Sequence, residues 1–311
     1  MNQYIKINDL PSITSAVQEA IALKSNPYKH KHLGAQKTLV MLFFNASLRT
    51  RLSTEKAAKN LGMDVIVLNV TDAWQLEFES GVVMNLDKSE HVKEAAQVIS
   101  QYADILAVRA FPSLKDKAKD LSEWIIKSFV TYATVPIVNM ESATGHPLQA
   151  LADAITIEEL KTKKTPKVVL SWAPHPKVLP HAVANSFIEM MQFIDVDFSI
   201  THPEGYELAE EIVKDTPVNY NQEDALKDAD FVYVKNWSNY KAYGTIVSQD
   251  PNWMMTKEKL GSAQFMHCLP VRRNLVVEDA VLDSDQSVVI AQSNNRTYAA
   301  QLVLKKILEN G

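Results

Sequence analysis

The chain has 311 residues, of which 46% are hydrophobic and 22% are charged, and its formal net charge is −5. This length exceeds what one compact core accommodates and predicts two domains of about 150 residues each. The negative charge argues against nucleic acid or an anionic membrane as the main partner, so local basic clusters must attract any anionic substrate.

The cysteine count and the hydropathy pattern restrict the compartment. Cys268 is the single cysteine, which excludes an intramolecular disulfide framework and fits a reducing environment. No apolar run approaches the roughly 20 residues of a spanning helix, the N-terminus lacks a signal-peptide pattern, and no Cys and His cluster has metal-site spacing. We therefore expect a cytoplasmic protein without a bound metal, a membrane or a nucleic-acid partner.

The first predicted elements are a peripheral helix over residues 11–24 and a buried strand over residues 38–44. The strand runs into residues 45–51, after which helical spacing begins; a second strand follows at residues 64–70. Backbone N–H groups at the helix start, two hydroxyls and two guanidinium groups make this turn an anion site with phosphate-like geometry. The simpler alternative is a helix capped by Ser47 with solvated arginines.

A stretch without clear period, residues 71–87, follows the second strand, and such stretches are usually functional or mobile. Trp74 lies in it, where a large apolar side chain marks either a contact surface or a loop anchor. A helix over residues 91–101 and a strand over residues 105–108 come next. The strand delivers Arg109 at its carboxyl end, where open α/β sheets bind ligands, although a surface ion pair would also explain a lone arginine.

A further strand, residues 135–139, leads to the segment His146-Pro147-Leu148-Gln149-Ala150-Leu151-Ala152-Asp153. Its proline is typical of a first helical turn, so the side chains of His146 and Gln149 share the start of one helix. A helix start with incidental polar residues would be the alternative explanation for this segment taken alone.

The second half of the chain alternates strands with helices, which predicts a second parallel βαβ domain. The predicted strands are 167–173, 196–201, 230–235 and 263–266, and the predicted helices are 180–194, 204–213, 221–227 and 298–308. Polar residues 161–166 predict the hinge between the domains. The prolines within residues 174–180 make this segment too stiff for a simple turn between a strand and a helix. The last predicted helix is expected to pack on the first domain.

Three segments resemble, in order, motifs of the aspartate and ornithine carbamoyltransferase family. Ser47-Leu48-Arg49-Thr50-Arg51 matches the SxRTR carbamoyl-phosphate loop, residues 146–153 match HPxQxLAD, and His267-Cys268-Leu269-Pro270 matches HCLP. The resemblance covers nearly the whole chain. It implies an enzyme that transfers a carbamoyl group from carbamoyl phosphate to an amine.

The resemblance also implies the fold, which is α/β with two open parallel-sheet domains. Residues 1–150 would form the carbamoyl-phosphate-binding domain, joined by a C-terminal helix at residues 297–311. Residues 151–296 would form the domain that binds an N-acylornithine. The N-acylornithine members of the family have a knotted chain, so the loop of residues 174–180 would here surround the chain beyond Lys235.

The family's functional residues carry over to positions that match its motifs. Those expected to bind carbamoyl phosphate are Ser47, Leu48, Arg49, Thr50, Trp74, Arg109, His146, Gln149, Cys268, Leu269 and Arg296. Those expected to be catalytic are Arg109, His146, Gln149 and Cys268. Arg109 and His146 would stabilise the developing oxyanion, while Gln149 and the carbonyls of residues 268 and 269 would orient the carbamoyl NH2.

The assembly and the ligands are likewise implied by the resemblance. Trp74 matches a tryptophan that reaches the active site of a neighbouring subunit, which implies a homotrimer with shared active sites. Carbamoyl phosphate and an N-acylornithine would be the ligands. No cofactor is implied.

Departures from the family pattern indicate which amine is used. The plain ornithine enzymes carry an aspartate and an SMG element that this chain lacks, and the aspartate enzymes carry a proline where Cys268 stands. The remaining match is to the N-acylornithine members, in which Glu141, His175, Lys235 and Arg272 fall where the acylated amino acid is contacted. Lys235 would pair with the α-carboxylate and Arg272 with the acyl end.

The choice between a succinyl and an acetyl substrate depends on the segment around residues 89 and 90. Acetyl-using members carry a glutamate there and succinyl-using members a proline, whereas this chain has Ser89 followed by Glu90. We expect N-succinyl-L-ornithine as the substrate, ahead of N-acetyl-L-ornithine and far ahead of free ornithine, with N-succinyl-L-citrulline as a product in arginine biosynthesis. The alternatives are an N-acetylornithine enzyme and a non-catalytic α/β protein that binds a phosphorylated ligand. A dinucleotide site is disfavoured because no GxGxxG follows a strand.

Overall fold

The computed structural model describes residues 1–70 and 75–310, so Trp74 lies outside the described residues. The chain divides into two compact units. The first contains residues 1–113, 118–148 and the chain from Arg296 onward, and the second contains Leu114–Lys117 and Gln149–Asn295. Each unit is built on a parallel sheet with helices, which confirms the predicted α/β fold class. The assignment of one ligand to each unit stays a prediction.

The strands and helices are numbered in chain order. The strands are β1 (Thr38–Phe43), β2 (Asp64–Asn69), β3 (Leu76–Glu77), β4 (Glu90–His91), β5 (Ile105–Arg109), β6 (Ile137–Glu141), β7 (Lys167–Trp172), β8 (Asp197–Thr201), β9 (Val218–Asn219), β10 (Phe231–Lys235) and β11 (Gln264–Met266). The helices are α1 (Ile13–Ser25), α2 (Arg49–Asn60), α3 (Val92–Ser100), α4 (Lys117–Leu121), α5 (Trp124–Tyr132), α6 (Pro147–Leu160), α7 (Ala182–Met191), α8 (Glu210–Val213), α9 (Gln222–Leu226), α10 (Lys257–Leu260), α11 (Asp279–Leu282) and α12 (Val289–Leu308). Short 3-10 helices lie at Ile7–Asp9, Lys31–Gly34 and Pro251–Trp253.

The first unit is organised by a 4-stranded parallel sheet in the order β2-β1-β5-β6. β1 and β5 are apolar and buried because both of their faces are covered, whereas β2 at the edge is only partly buried. The register places Phe43 beside Arg109 and Arg109 beside Glu141. The carboxyl ends of β1, β5 and β6 therefore bring a turn, a guanidinium group and a carboxylate to one edge of the sheet.

The core of this unit comes from strand residues and from the apolar face of α3. Val92, Ala95, Ala96 and Ile99 recur at helical spacing and are buried with Val40, Leu106 and Phe129 in one cluster. Fully burying each larger aliphatic side chain contributes about 1.5–3 kcal/mol.

The second unit is organised by a 5-stranded parallel sheet in the order β11-β10-β7-β8-β9. β7 and β10 pair in its middle and are buried along nearly their whole length. Lys235 ends β10 beside Trp172, at the carboxyl edge of this sheet.

No helix of residues 1–70 and 75–310 is long and apolar enough to cross a membrane.

Two predicted helices are wrong in extent. Of the helix predicted over residues 204–213, only α8 forms. Residues 204–209 are not helical, because Gly205 takes a positive φ of 89° and the chain turns there with Tyr206 N donating to Pro203 O. The last helix was predicted to start at residue 298, but α12 starts at Val289. Its first turns carry buried polar residues, so they lack the apolar stripe that marks a helix in a sequence.

The proline-rich loop of residues 174–180 contacts the chain that follows β10. Asn236 Nδ2 donates to Pro174 O at 2.9 Å, and Ser238 N donates to Leu179 O at 3.0 Å. These bonds hold the loop against residues 236–238. The knot implied by the resemblance stays a prediction.

Histidines of the second unit should make its stability depend on pH. Burial is the largest cause that lowers the pKa of His175, His181 and His202. The unfolded chain takes up these protons near pH 6.5, whereas the folded unit resists them, so the free energy of unfolding falls as the pH drops below about 6.5. We expect the urea midpoint to be lower at about pH 5.5 than at about pH 7.5.

Carboxylates do not confound this measurement. Asp230 and Glu207 have a lowered pKa in the folded chain, so the stability that they contribute is lost only at more acidic pH. His202→Gln should reduce the difference between the two midpoints. A midpoint that stays constant or rises on acidification would contradict the expectation.

Candidate active site

The turn between β1 and α2 is held by local and cross-strand hydrogen bonds. Ser47 Oγ accepts from Thr50 N at 3.3 Å, and Asn45 Oδ1 accepts from Phe111 N at 2.6 Å. Phe44 N also donates to Arg109 O at 2.9 Å, so the turn is tied to the chain that follows β5. α2 has 12 residues, and its N-terminal N–H groups add the positive end of the helix dipole to this site.

Arg109 lies at the centre of the site and is 7% exposed. Its Nη1 donates to Thr50 Oγ1 at 2.6 Å and also to Ser47 Oγ, and its Nη2 lies 3.1 Å from Glu141 Oε2. The guanidinium carbon lies 4.6 Å from the centre of the Phe111 ring. Burial, hydrogen bonds, an ion pair and a cation–π contact therefore hold the guanidinium group in place.

A second guanidinium group meets the same hydroxyl. Arg296, which α12 brings into the first unit, donates from Nη2 to Thr50 Oγ1 at 2.6 Å. The turn that precedes α2 also lines a cavity of about 530 Å³. The residues that line it are Phe43, Asn45, Ala46, Ser47, Leu48, Arg51 and Asn69. The convergence of arginines, hydroxyls and a helix N-terminus is suited to a phosphate dianion.

Glu141 belongs to this cluster. Its Oε2 lies 3.1 Å from Arg109 Nη2 and 3.5 Å from His146 Nε2, and all three side chains are buried. The structure thus places Glu141 in the first unit, with residues expected to bind carbamoyl phosphate. The other three residues expected to contact the acylated amino acid lie in the second unit.

In the second unit, a buried chain of hydrogen bonds joins Gln149 to the HCLP segment. Asp153 Oδ1 accepts from Gln149 Nε2 and from Gln292 Nε2, both at 2.7 Å. Gln292 Oε1 accepts from His267 N at 2.9 Å, and His267 Nδ1 accepts from Leu269 N at 2.8 Å. One carboxylate therefore orders both groups that were expected to hold the carbamoyl NH2.

Arg272 lies against His175 in the same unit. Arg272 Nε donates to His175 Nε2 at 3.2 Å, and the other ring nitrogen lies 2.9 Å from Lys177 O. Burial lowers the pKa of His175, and the charges of Arg272 and Lys235 lower it further. The imidazole is therefore neutral at pH 7, so its Nε2 can accept a hydrogen bond from Arg272.

His175 also lines a small cavity of about 200 Å³. Pro174, His175, Pro176, Gln249, Pro251, Met254, Asn274 and Leu275 line it. Its walls are mostly apolar, which suits a short acyl chain with a charged group at one end.

Sequence reasoning missed two of the residues that order the site. Asp153 is the last residue of the HPxQxLAD match, and the sequence does not indicate that it is 0% exposed and bonded to two glutamines. Gln292 lies in a polar stretch that had no helical pattern. Pairing of these residues depends on how two helices pack, and no local pattern encodes that.

The neighbourhood expected to select the acyl group forms a short strand. Glu90 lies in β4, which pairs in parallel with β3, and it is half-buried, whereas Ser89 is exposed. Ser89 N donates to Gln75 O at 3.3 Å. Across residues 1–70 and 75–310, no group of three His, Cys, Asp or Glu side chains could hold a metal ion.

Comparison with protein families gives two matches along the chain. Residues 2–159 match the aspartate/ornithine carbamoyltransferase carbamoyl-P binding domain. Residues 180–307 match the Asp/Orn binding domain of the same family. Together these matches cover most of the sequence.

Curated relatives and solved structures agree with this family. The chain is 49% identical over 315 residues to the N-succinylornithine carbamoyltransferase of Bacteroides thetaiotaomicron, covering 99% of each chain. It is 33% identical over 318 residues to the N-acetylornithine carbamoyltransferase of Xanthomonas campestris, covering 93% of this chain and 94% of that one. A crystal structure of acetylornithine transcarbamylase complexed with acetylcitrulline matches with a TM-score of 0.92 and 32% identity, covering 99% of both chains.

A second solved structure contains a succinylated amino acid. It is a variant of N-acetyl-L-ornithine transcarbamylase in which one glutamate is replaced by alanine, complexed with carbamyl phosphate and N-succinyl-L-norvaline; it matches with a TM-score of 0.91 and 31% identity, over 99% of this chain and 100% of that one. The family models and the full-length relatives lead to one conclusion. The chain belongs to the aspartate/ornithine carbamoyltransferase family.

Proposed function

We propose that this protein transfers the carbamoyl group of carbamoyl phosphate to the side-chain amine of N-succinyl-L-ornithine, giving N-succinyl-L-citrulline and phosphate. The reaction would serve arginine biosynthesis in the cytoplasm. The observation that carries the transfer chemistry is the convergence of Arg109 and Arg296 on Thr50 at the start of α2. The names of the relatives at 49% identity support the choice of amine.

The phosphate of carbamoyl phosphate would bind at the start of α2. Ser47 and Thr50 already accept hydrogen bonds from Arg109, so a phosphate there would meet hydroxyl groups, guanidinium groups and N-terminal N–H groups together. Arg49, in the first turn of the helix, is placed to add a further charge. These groups would stabilise the phosphate as it leaves.

The carbamoyl group would be held by the residues around it. Arg109 and His146, whose side chains are both buried, would donate to the carbonyl oxygen as it becomes tetrahedral and charge develops on it. Asp153 accepts from Gln149 Nε2, which fixes the amide so that Gln149 Oε1 is the acceptor for the carbamoyl NH2. The carbonyls of Cys268 and Leu269 would accept from the same NH2. The nucleophile is the substrate amine, which attacks the carbamoyl carbon after losing its proton.

The acylated amino acid would be read by residues of the second unit. Lys235 would pair with the α-carboxylate and Arg272 with the succinyl carboxylate, while His175 lines the small cavity. Neutral His175 accepts a hydrogen bond from Arg272. A substrate carboxylate can replace His175 as the partner of Arg272 without breaking an existing ion pair. Glu141 binds Arg109 in the free protein, and a contact with the substrate amine would be its additional role.

An N-acetyl substrate is the second candidate. The relatives at 33% identity carry that name, and Glu90 of β4 is half-buried and charged. A carboxylate at the acyl site would repel a succinyl group. The exposed Ser89 at that site would accept one.

We also propose a homotrimer with shared active sites. Exposed apolar side chains of the turn before α2, of α2 itself and of the edge strand β2 support it: Leu48 is 66% exposed, Leu52 59% and Ile66 42%. Val83 and Leu86 are 80% and 86% exposed in the loop before β4. An apolar surface beside the phosphate site suits a second copy of the chain. Trp74 would contribute to the neighbour's site.

Substrate preference is tested by kcat/KM for the three amines at saturating carbamoyl phosphate. We expect N-succinyl-L-ornithine to exceed N-acetyl-L-ornithine by about tenfold or more, because a site that pairs a carboxylate leaves charged groups unpaired when that end is a methyl. Free ornithine should be slowest. Arg272→Gln should reduce the difference in kcat/KM between N-succinyl-L-ornithine and N-acetyl-L-ornithine.

The matched control for that variant is its neighbour. Arg273 pairs with Asp279 and Asp283, at 2.8 and 2.7 Å, so Arg273→Gln removes an equal charge without touching the cavity. It should leave the preference unchanged. Faster turnover of N-acetyl-L-ornithine would reverse the acyl assignment, and the absence of phosphate release with every amine would favour a non-catalytic binding protein.

The phosphate site is tested by Thr50→Val, which keeps the shape of the side chain and removes the hydroxyl shared by two arginines. We expect kcat/KM for carbamoyl phosphate to fall by about 100-fold, as when one preorganised donor is lost. Thr54→Val is the matched control, since Thr54 is buried on the same helix with 1% exposure. Equal activity of the two variants would contradict the placement of the phosphate.

The assembly is tested by sedimentation equilibrium. Wild-type protein should have a mass near three copies of the chain, and Leu52→Asp should lower it, because a buried unpaired carboxylate destabilises an apolar interface by several kcal/mol. Leu121→Asp, at an apolar position that is 38% exposed elsewhere in the first unit, is the control. A monomeric wild-type protein with full activity would rule out shared sites.

A further inference from the structure

Glu123 has an unusual backbone conformation. It precedes α5 with φ 56° and ψ 34°, in the left-handed region that glycine adopts readily. For a residue with a Cβ this conformation costs about 1 kcal/mol or more. The chain nevertheless has a glutamate there, half-buried, so the side chain should offset the backbone strain.

The carboxylate of Glu123 accepts hydrogen bonds from a loop that is distant in the sequence. Oε1 accepts from Ser142 Oγ at 2.7 Å, from Thr144 N at 2.8 Å and from Thr144 Oγ1 at 2.5 Å. Oε2 accepts from Ala143 N at 3.1 Å. Hydrogen bonds to an ionised carboxylate are stronger than neutral ones, so this side chain restricts the loop at three consecutive residues.

The loop is short and joins two residues of the active site. It starts after Glu141, at the end of β6, and ends at His146, at the start of α6. Ser142 N donates to Gly145 O at 2.8 Å, and Asn139 Nδ2 donates to Ser142 Oγ at 3.0 Å. The Glu123 carboxylate and these two bonds together define the path of the loop.

The residues at the two ends of the loop belong to the cluster that would polarise the carbamoyl oxygen: Glu141 pairs with Arg109, and His146 is one of the two expected donors. Glu141 Oε2 lies 3.1 Å from Arg109 Nη2, and His146 Nε2 lies 3.5 Å from the same carboxylate oxygen. A shift of the loop would move His146 relative to Glu141 and Arg109. The contacts of Ser47, Thr50 and Arg296 do not pass through the loop.

We propose that Glu123 is a positioning residue for carbamoyl transfer, which it supports by fixing the loop that sets the distance and angle between His146 and Glu141. The inference rests on the proposed function. Displacing a catalytic group by about 1 Å can lower a rate by about 100-fold, so a carboxylate that touches no substrate can still affect turnover strongly.

The experiment compares wild-type protein with Glu123→Gln, which keeps the shape and replaces one acceptor oxygen with an NH2 group facing N–H donors. We expect kcat to fall by about 10- to 100-fold, because His146 is no longer held in the productive geometry. The KM for carbamoyl phosphate should change less than about threefold, because the contacts to phosphate are intact. Glu94→Gln, an exposed carboxylate in the first turn of α3, is the matched control and should behave as wild type.

A double-mutant cycle separates positioning from a general loss of stability. His146→Ala should lower kcat by about 100-fold, and adding Glu123→Gln should lower it by less than about threefold further, because the group being positioned is already absent. Additive losses in the double variant would show that Glu123 does not act through His146 and would overturn the proposal. A kcat of Glu123→Gln within about twofold of wild type would overturn it too.

A milder variant keeps the test decisive if Glu123→Gln does not fold. Thr144→Val removes a single hydroxyl donor to Glu123 and leaves the backbone bonds, so an intermediate fall in kcat is expected, again with an unchanged KM. Unchanged kcat in a folded Thr144→Val protein would overturn the proposal in that case. Failure of wild-type protein to release phosphate would instead refute the proposed function, which distinguishes the two.

Discussion

The structure of the first unit depends on how a buried guanidinium group is satisfied. Arg109 is nearly inaccessible to water, and a charge in that position is stable only when it is paired and hydrogen-bonded. Glu141 supplies the opposite charge, and Ser47 and Thr50 supply acceptors. Because these partners come from two separate segments, the side chain at the end of β5 ties together the turn after β1 and the end of β6.

Those segments reach one place because the sheet is parallel and because its register aligns their carboxyl ends. Much of this could be predicted from the sequence. The apolar strands, the helix after the turn and Arg109 at a strand end follow from local periodicity and the topology of open α/β sheets. The assignment of roles to His146 and Gln149 came from the family resemblance, since their positions alone fitted an ordinary helix start.

What could not be predicted depends on packing between distant segments. Asp153 orders Gln149 and the HCLP segment through Gln292, across 139 residues of sequence, and neither the spacing nor the polarity of these residues indicates it. The sequence does not indicate the role of Glu123 for the same reason, since its carboxylate accepts hydrogen bonds from a loop 19 to 21 residues away. The early start of α12 was hidden because its polar residues face inward, where they bind other buried polar groups.

The register of β5 has a consequence for how this enzyme can change in evolution. Successive side chains of a strand point to opposite faces, so the loss of a single residue from β5 would send Arg109 to the wrong side of the sheet. It would also place a charge among apolar side chains. Insertions in surface loops have no such effect. The lengths of the central strands should therefore stay constant among related carbamoyltransferases, while variation in chain length accumulates in the connections at the amino ends of the strands, remote from the chemistry.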